Sequence, residues 1–474
     1  MTKNLFLVLL LAVQTAFAQI ISKDPTFASN GVSNVANYTL AWTMAQDSNG
    51  SIYSSYSIPN STETFVYKLT ANGVLDSAFG NNGKIQLPYY TYLCQLKIQS
   101  DGKLVIFGFG NTSGGVSGSI DVGIIYRILP NGQLDATFGT NGISIISNGF
   151  SIGSDVNGRS LGLILQNGKI IVHDSATIWR CNADGSIDTS FGTNGSVATQ
   201  GNFYYGAFVL MDNQSNLICI TKINSAYANG IIEKFSPDGQ PVTSFGNNGI
   251  LQSNLVFEPL GTAIIDSNNK IVISKSNSTG NEIFRLNPDG TLDSTFNCAL
   301  SIIHPSALAK SIVEKNGYYY IGGNQSSHPY IPYSSDESPT FFTKLTQSGS
   351  IAPDFGYYPD SSFMSVEEMI VNNNNIISNG DAAIVKYLLS TATLSTVDAT
   401  KTSIDISFEN PVNQNLVYKS EKKVSKIEIY SLDGKLLKTV QENNSNASEL
   451  PKGVYLVKVT FDNGKVSIKK LMKN

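Results

Sequence analysis

Histidine is scarce in this 474-residue chain: only His173, His304 and His328 occur, far apart. With no His-x-x-x-His pair, the spacing that builds zinc sites is missing, and no metal or other cofactor is expected. The four cysteines, Cys94, Cys181, Cys219 and Cys298, include no C-x-x-C pair. Buried free thiols are the expected state. Charged residues make up only 14% of the chain and the net charge is −4, so no basic face invites nucleic acid. Beyond the first twenty residues no apolar run approaches the roughly 18 residues needed to cross a bilayer, so the product is not expected to be membrane-embedded. No long segment follows a helical period either. Asp-rich turns such as "DGSIDTS" and "DNQSN" lack the closing bidentate Glu of a calcium loop. What the chain does have is 41 Gly, 22 Tyr and 23 Phe, arranged in a repeat.

Six cations, Lys68, Arg127, Arg180, Lys234, Arg285 and Lys344, are each followed eleven residues later by a Phe: Phe79, Phe138, Phe191, Phe245, Phe296 and Phe355. A seventh cation, Lys386, has no such partner, while Phe27 stands unpartnered in "DPTFASNG" near the N-terminus. Terminal units that are incomplete in complementary ways are what a closed ring leaves when it is cut open. The intervals between successive Phe residues are 52, 59, 53, 54, 51 and 59, close to the length of a four-stranded propeller blade. A second turn signal lies midway in each unit, as in "QSDGKLVIFG" and "LQNGKIIVHD". Gly and Asn between β-branched runs are hairpin chemistry, because both tolerate positive φ. Two such turns and two irregular connections make four strands per unit. The expected fold is all-β: a seven-bladed β-propeller of four-stranded blades, followed by a small C-terminal β-sandwich.

The D-x-x-F-G-x-x-G core with its preceding cation resembles the delta-60 repeat, a bacterial family expected to form β-propellers, over roughly residues 20 to 390. That resemblance implies architecture and little about activity. Three units depart from the pattern: Val242 and Ala352 replace the Asp, and Leu300 and Pro359 replace the last Gly. Altered turns are expected in all three.

The start of the chain, "MTKNLFLVLLLAVQTAFAQ", has an early Lys, an apolar stretch and the small-x-small triplet Ala16, Phe17, Ala18. It reads as a secretory signal over residues 1–18, with cleavage between Ala18 and Gln19. Residues 19–390 form the repeat, 391–400 a Ser-, Thr- and Ala-rich linker, and 401–474 a last domain. That domain holds 13 Lys against 8 Asp plus Glu, whereas residues 1–400 hold 19 basic and 28 acidic residues. Alternating stretches around Asp-Gly and Asn-Gly turns give it a sandwich pattern. It resembles the C-terminal sorting domain of the type IX secretion system of Bacteroidetes. The matching residues are Asn410 and Pro411, the turn Asp433, Gly434, Lys435, the strand Gly453, Val454, Tyr455, Leu456, and the Lys-rich terminal strand. Phe408 and Glu409 stand where the family more often has Tyr and Pro. The resemblance implies a partner in the outer-membrane secretion machinery, removal of the tail, and a ring that is released or held at the cell surface. The ring itself is expected to be monomeric.

Asp24, Asp76, Asp135, Asp188 and Asp293 each precede their Phe by three residues. Seven cations around an axis could bind an anion. The simpler reading pairs each cation with a nearby Asp or carbonyl and lays its stem along the Phe. The missing Asp in two units then predicts different ion pairs there.

If strands alternate in direction, the regular turns share one rim and the long connections "SIPNSTET", "GNTSGGVSGSID", "NSAYANG" and "QSSHPYIPYSSDESPT" the other. Aromatics recur on that second side at Tyr38, Tyr89, Tyr90, Phe150, Phe203 and Phe257, either as a binding rim or as covers for the blade ends. Aromatics beside Asn and Ser suit stacking on sugars with hydrogen bonds to hydroxyls. The expectation is therefore a secreted or cell-surface binding or scaffold module for a glycan or another surface polymer. The alternative is a carbohydrate-active or other hydrolytic enzyme, which would need only two carboxylates in the axial channel.

Overall fold

The computed structural model describes every residue except 1–17, 35–42, 58–62, 112–121, 149–161, 174–175, 202–207, 223–228, 257, 278–279, 299–306, 326–339, 361–365, 381–382, 393–405, 421, 432–435, 441–442, 463–465 and 474. Among the described residues the regular structure is strand and turn throughout, with no helix. The chain divides into two units, Met1–Thr393 and Leu394–Asn474.

One sheet shows how the repeat folds. Strands Tyr90–Ile98, Leu104–Asn111, Val122–Ile128 and Ile143–Asn148 pair antiparallel in sequence order. The first hairpin closes on Gly102, whose φ of 81° suits glycine, with the Gln99 N–H bonded to the Lys103 carbonyl at 2.8 Å. Strand Val122–Ile128 is buried on both faces, which explains its unbroken apolar run. The following D-x-x-F-G-x-x-G turn is made by the backbone: Phe138 N–H bonds to the Asp135 carbonyl and Gly142 N–H to the Phe138 carbonyl. Among the described residues the strand after six of the seven Phe, all but Phe296, completes the sheet behind it, so sheets and Phe-to-Phe units are offset by one strand.

Among the described residues the first unit contains seven sheets. Five are built wholly in sequence order from four strands, and one has three strands, Glu258–Ile265, Ile271–Asn277 and Gly280–Leu286. The seventh joins both ends of the unit. Strands Glu368–Val371, Asn375–Gly380 and Ala383–Ala392 are completed by Ala18–Lys23 and Val32–Ser33 from the N-terminus. First strands touch in succession, from Met44–Gln46 to Tyr90–Ile98 and on to Glu368–Val371, which touches Met44–Gln46 again. The series of sheets is a closed cycle.

The junction of the two ends copies the internal turns. Asp24 N–H bonds to the Lys386 carbonyl and Lys386 N–H to the Gly31 carbonyl, both at 2.9 Å. Arg127 makes the same two bonds, with Asp135 and Gly142. Phe27 is fully buried, packed with Ile377 and Ile384 on one side and Met44, Ile52, Tyr67 and Leu69 on the other. A Cβ at Gly73 would lie 2.7 Å from the Phe27 ring, so only glycine fits that close approach.

Successive sheets are buttoned by the same device. The N–H after six of the seven Phe reaches a turn carbonyl of the next sheet: Gly80 to Asn131, Gly139 to Asp184, Gly192 to Asp238, Gly246 to Asp289, Asn297 to Ser348, and Ala28 to Asn72. The expectation of three altered turns needs correction at Val242. Its turn keeps the regular backbone bonds and the positive φ at Gly246, Asn248 and Gly249. The physical reason is that the turn is tied by backbone groups, which Val supplies as well as Asp does. The turn after Phe355 does differ, since Gly356 N–H bonds back to the Ala352 carbonyl.

The second unit has a four-stranded sheet in the order Leu436–Val440, Val424–Tyr430, Gly453–Phe461, Val466–Lys473, and two strand pairs, Ile406–Phe408 with Tyr418–Ser420 and Asn415–Leu416 with Ser445–Asn446. Alternation along Gly453–Phe461 puts Tyr455, Val457, Val459 and Phe461 in a core with Ile427, Ile429, Val412 and Leu416. Asn410 fastens the last strand, its Oδ1 accepting the Met472 N–H at 2.8 Å and its Nδ2 donating to the Lys470 carbonyl at 3.3 Å.

Candidate functional site

All seven repeat cations are engaged. Arg127 Nε lies 2.8 Å from Asp135, Arg180 Nε 2.6 Å from Asp188, and an Arg285 guanidinium nitrogen 2.7 Å from Asp293. The guanidinium carbons sit 4.6, 4.6 and 4.8 Å from the centres of Phe138, Phe191 and Phe296. Each Arg also donates across the seam to a carbonyl of the next sheet's turn: Ala183, Pro237 and Gln347. Lys68 pairs with Asp76 at 2.9 Å and Lys386 with Asp24 at 3.1 Å, the latter 5.6 Å from the Phe27 ring. In the two units without the Asp, Lys234 turns to Asp212 at 2.9 Å and Lys344 to Asp354 at 2.8 Å. Lys344 lies over Tyr318 at 4.0 Å, in place of the repeat Phe.

Asp24, Asp76, Asp135, Asp188, Asp212 and Asp293 are all held below the usual carboxylate range. Burial alone would raise Asp135, but the Thr137 hydroxyl and N–H, Lys103 and Arg127 outweigh it and hold the carboxyl well below the usual range. At Asp293 the Lys270 hydrogen bond is the main cause of a similar fall. The repeat Phe rings at Phe27, Phe79, Phe138, Phe191, Phe245, Phe296 and Phe355 are all buried. The cations, Asp residues and Phe rings therefore fasten one sheet to the next.

Two carboxylates lie where the sheets meet, Glu368 at the start of strand Glu368–Val371 and Glu367 just before it. Glu368 Oε2 accepts the Met44 N–H at 2.8 Å, and the Thr43 hydroxyl also bonds to it. Burial pushes its carboxyl up, with Lys97 opposing. Its neighbour Glu367 pairs with Lys310 at 3.0 Å. Gln95 plays the Glu368 part elsewhere, accepting the Leu163 N–H at 2.9 Å. Both Glu367 and Glu368 act as stitches between adjacent sheets.

A third buried carboxylate, Glu233, lies outside the sequence expectations. Its two oxygens accept the Gln200 N–H at 3.1 and 3.0 Å, and burial raises its pKa. A signal was present: the residue before each cation runs Tyr67, Tyr126, Trp179, Glu233, Phe284, Thr343, Val385, and the acid stands out in that column.

Of the aromatic rim, Tyr89 and Tyr90 are each half-buried, at the entry to strand Tyr90–Ile98. Tyr89 packs partly against a core that includes Leu87, Leu96 and Tyr126. The Thr91 hydroxyl bonds to the Tyr89 carbonyl at 3.0 Å and shares a 2.8 Å hydrogen bond with the Tyr126 hydroxyl. Tyr38, Phe150, Phe203 and Phe257 lie outside the described residues, as do His304, His328 and much of the long connections. Cys181 and Cys219 are buried thiols outside any disulfide, and Cys298, also outside any disulfide, is only partly buried. Burial pushes the Cys181 thiol up to about 12. Among the described residues no group of three His, Cys, Asp or Glu side chains could hold a metal ion, and no helix is long and apolar enough to cross a membrane.

Comparison with known proteins adds two family matches. Residues 408–474 match the secretion system C-terminal sorting domain. Residues 99–138, 165–191 and 267–296 match a β-propeller family described as a domain of unknown function, DUF5122. No curated protein matches the chain. Among solved structures, the chain is similar to a catalytically inactive virginiamycin B lyase from Staphylococcus aureus with quinupristin, at 13% identity and a TM-score of 0.47, covering 78% of this chain and 100% of that one. It is also similar to the PQQ-bound aldose sugar dehydrogenase from Streptomyces coelicolor, at 10% identity and a TM-score of 0.41, covering 78% and 98%. At these distances the likenesses carry no argument about activity.

Proposed function

Because the chain is a β-propeller protein with a type IX sorting tail, exported to the cell surface or the extracellular space, we propose that it works there as a binding or scaffold module for a glycan or another surface polymer. In this reading residues 1–18 are a cleaved leader, 19–390 a monomeric seven-bladed propeller of the delta-60 type, 391–400 a linker and 401–474 a sandwich that addresses the protein to the secretion machinery. The observation that carries the binding role is the division of labour within the repeat. Every repeat cation is spent on a carboxylate and most on a neighbouring sheet as well, while the side chains of Tyr89 and Tyr90 stay half-exposed at the entry to strand Tyr90–Ile98. A rigid scaffold with variable loops at one rim is the usual setting for recognition. Exposed aromatic faces next to hydroxyl and amide side chains suit sugar rings. A glycan array with the purified ring, residues 19–393, tests the proposal: selective retention of polysaccharide is expected, and a blank array across surface glycans would contradict it.

A hydrolytic reading has one observation in its favour, the raised carboxyl of Glu368 on a first strand. A general acid needs such a shift. Its bonds to the Met44 N–H and Thr43 favour the stitching role instead. Loss of a hydrolytic activity in Glu368→Gln with unchanged folding would reverse that preference.

A further inference from the structure

The four-stranded sheet of the second unit breaks its own alternation at one end. Along Gly453–Phe461 the inward residues Tyr455, Val457, Val459 and Phe461 are core. Of the outward ones Lys458 and Thr460 are polar, as a solvated sheet face requires, but Val454 and Leu456 are not. Strand Val424–Tyr430 does the same, with Lys426 and Glu428 outward and then Tyr430. Residues directly opposite one another on neighbouring strands share a face. Leu436 lies opposite Tyr430, Tyr430 opposite Leu456, and Met472 opposite Val454, so these five form one apolar patch, adjoined by Leu437 at a bulge.

Leu436, Leu437, Leu456 and Met472 are exposed at 47, 41, 38 and 44%. Those four are half of the eight large apolar side chains exposed among the described residues of the whole chain, gathered in its smaller unit. Beside the patch the same face turns basic. Lys470 lies opposite Leu456, and Lys458 and Lys426 hold the next two rows, sharing Glu428 at 3.6 and 2.5 Å. The face therefore sets three lysines against one carboxylate, within residues 401–474 that hold 13 Lys against 8 Asp plus Glu.

We propose that this face docks the tail onto an anionic phospholipid surface during passage through the outer membrane. Exported by a type IX sorting tail, the chain meets such a surface. On an open sheet face the aliphatic side chains enter the headgroup region while the lysines meet phosphate; apolar area and charge attraction together set interfacial binding. A protein receptor suits this face less well, because protein interfaces are depleted in lysine. The role is separate from any binding by the ring.

The test is flotation of residues 19–474, verified by intact mass, with phosphatidylcholine vesicles that contain or lack phosphatidylglycerol. Co-flotation is expected with the anionic vesicles alone and should weaken as salt rises. Leu456→Ser with Met472→Ser, and separately Lys458→Gln with Lys470→Gln, should each weaken it at least about tenfold. Circular dichroism checks the fold of each pair; should one pair unfold the tail, the other decides. Leu292→Ser removes an exposed leucine of the first unit and should change nothing. Equal binding to uncharged vesicles, or undiminished binding by the folded variants, would overturn the proposal. So would absence of flotation: export still blocked by Leu456→Ser with Met472→Ser would then give the face to a protein receptor, and self-association abolished by that pair would give it to a second copy.

Discussion

Asp212 Oδ2 lies 2.9 Å from Lys234 Nζ, both side chains buried, in the one unit where Val242 stands at the position of the paired Asp. The carboxylate comes from the opposite direction in sequence, from the hairpin turn before the cation strand and not the turn after it. A buried ammonium requires a partner, and the fold supplies one from the side chain of a neighbouring turn.

The substitution that follows is a rescue. Asp212→Ala should destabilise the ring by about 3 kcal/mol, as expected for a buried charge left unpaired. Adding Val242→Asp should restore most of that loss, because the regular turn geometry survives at Val242. Chemical denaturation of both single variants and the double variant measures the coupling. Strict additivity would show that Lys234 does not depend on either carboxylate.

Asp188 receives both Arg180 and Lys169 and is nearly inaccessible. Asp188→Asn should cost about 3 kcal/mol. The pair of Lys103 with Asp101, whose carboxylate side chain is 54% exposed, is the control. Asp101→Asn should change stability by less than about 1 kcal/mol. Equal costs would mean that burial does not govern these pairs.

Acid should unfold the ring in a defined window. Asp24, Asp76, Asp135, Asp188 and Asp293 all have folded pKa values below the ordinary 3.8. Their contribution is fully present above that value and is lost as pH falls through it toward the folded values. Glu233 and Glu368 have raised values, so their contribution runs the other way and weakens as pH rises past 4.5. Stability should hold or rise slightly from pH 7 to 5 and fall below about 4. Circular dichroism melts across this range check it; a steady decline from pH 7 would contradict the assignment.

Deleting residues 394–474 should leave the melting temperature of the ring unchanged and trap the protein in the periplasm. The two units have separate cores, one ending at Thr393 and the other beginning at Leu394. Scanning calorimetry and cell fractionation decide this. Loss of cooperative unfolding in the ring would show that the tail is part of its fold.

Much of the scaffold was legible in sequence because it is periodic. The offset of eleven residues between cation and Phe, and the orphan pair Lys386 and Phe27, pointed to the seams and the closure before any coordinate. The partner of Lys234 was not legible, since Asp212 holds no place in the motif. Glu233 could be seen only by comparing units column by column. The regular turn at Val242 is not legible from side-chain identity, because backbone hydrogen bonds make that turn alone. The rim was least legible, because its connections follow no period.

The binding role is tested most directly by replacing Tyr89 and Tyr90 together with Ala and measuring polysaccharide affinity and melting temperature on the same preparation. Affinity should fall at least about tenfold, roughly 1.4 kcal/mol, while the melting temperature changes little. Retained affinity with a large fall in melting temperature would show that these rings are packing and would contradict the binding rim.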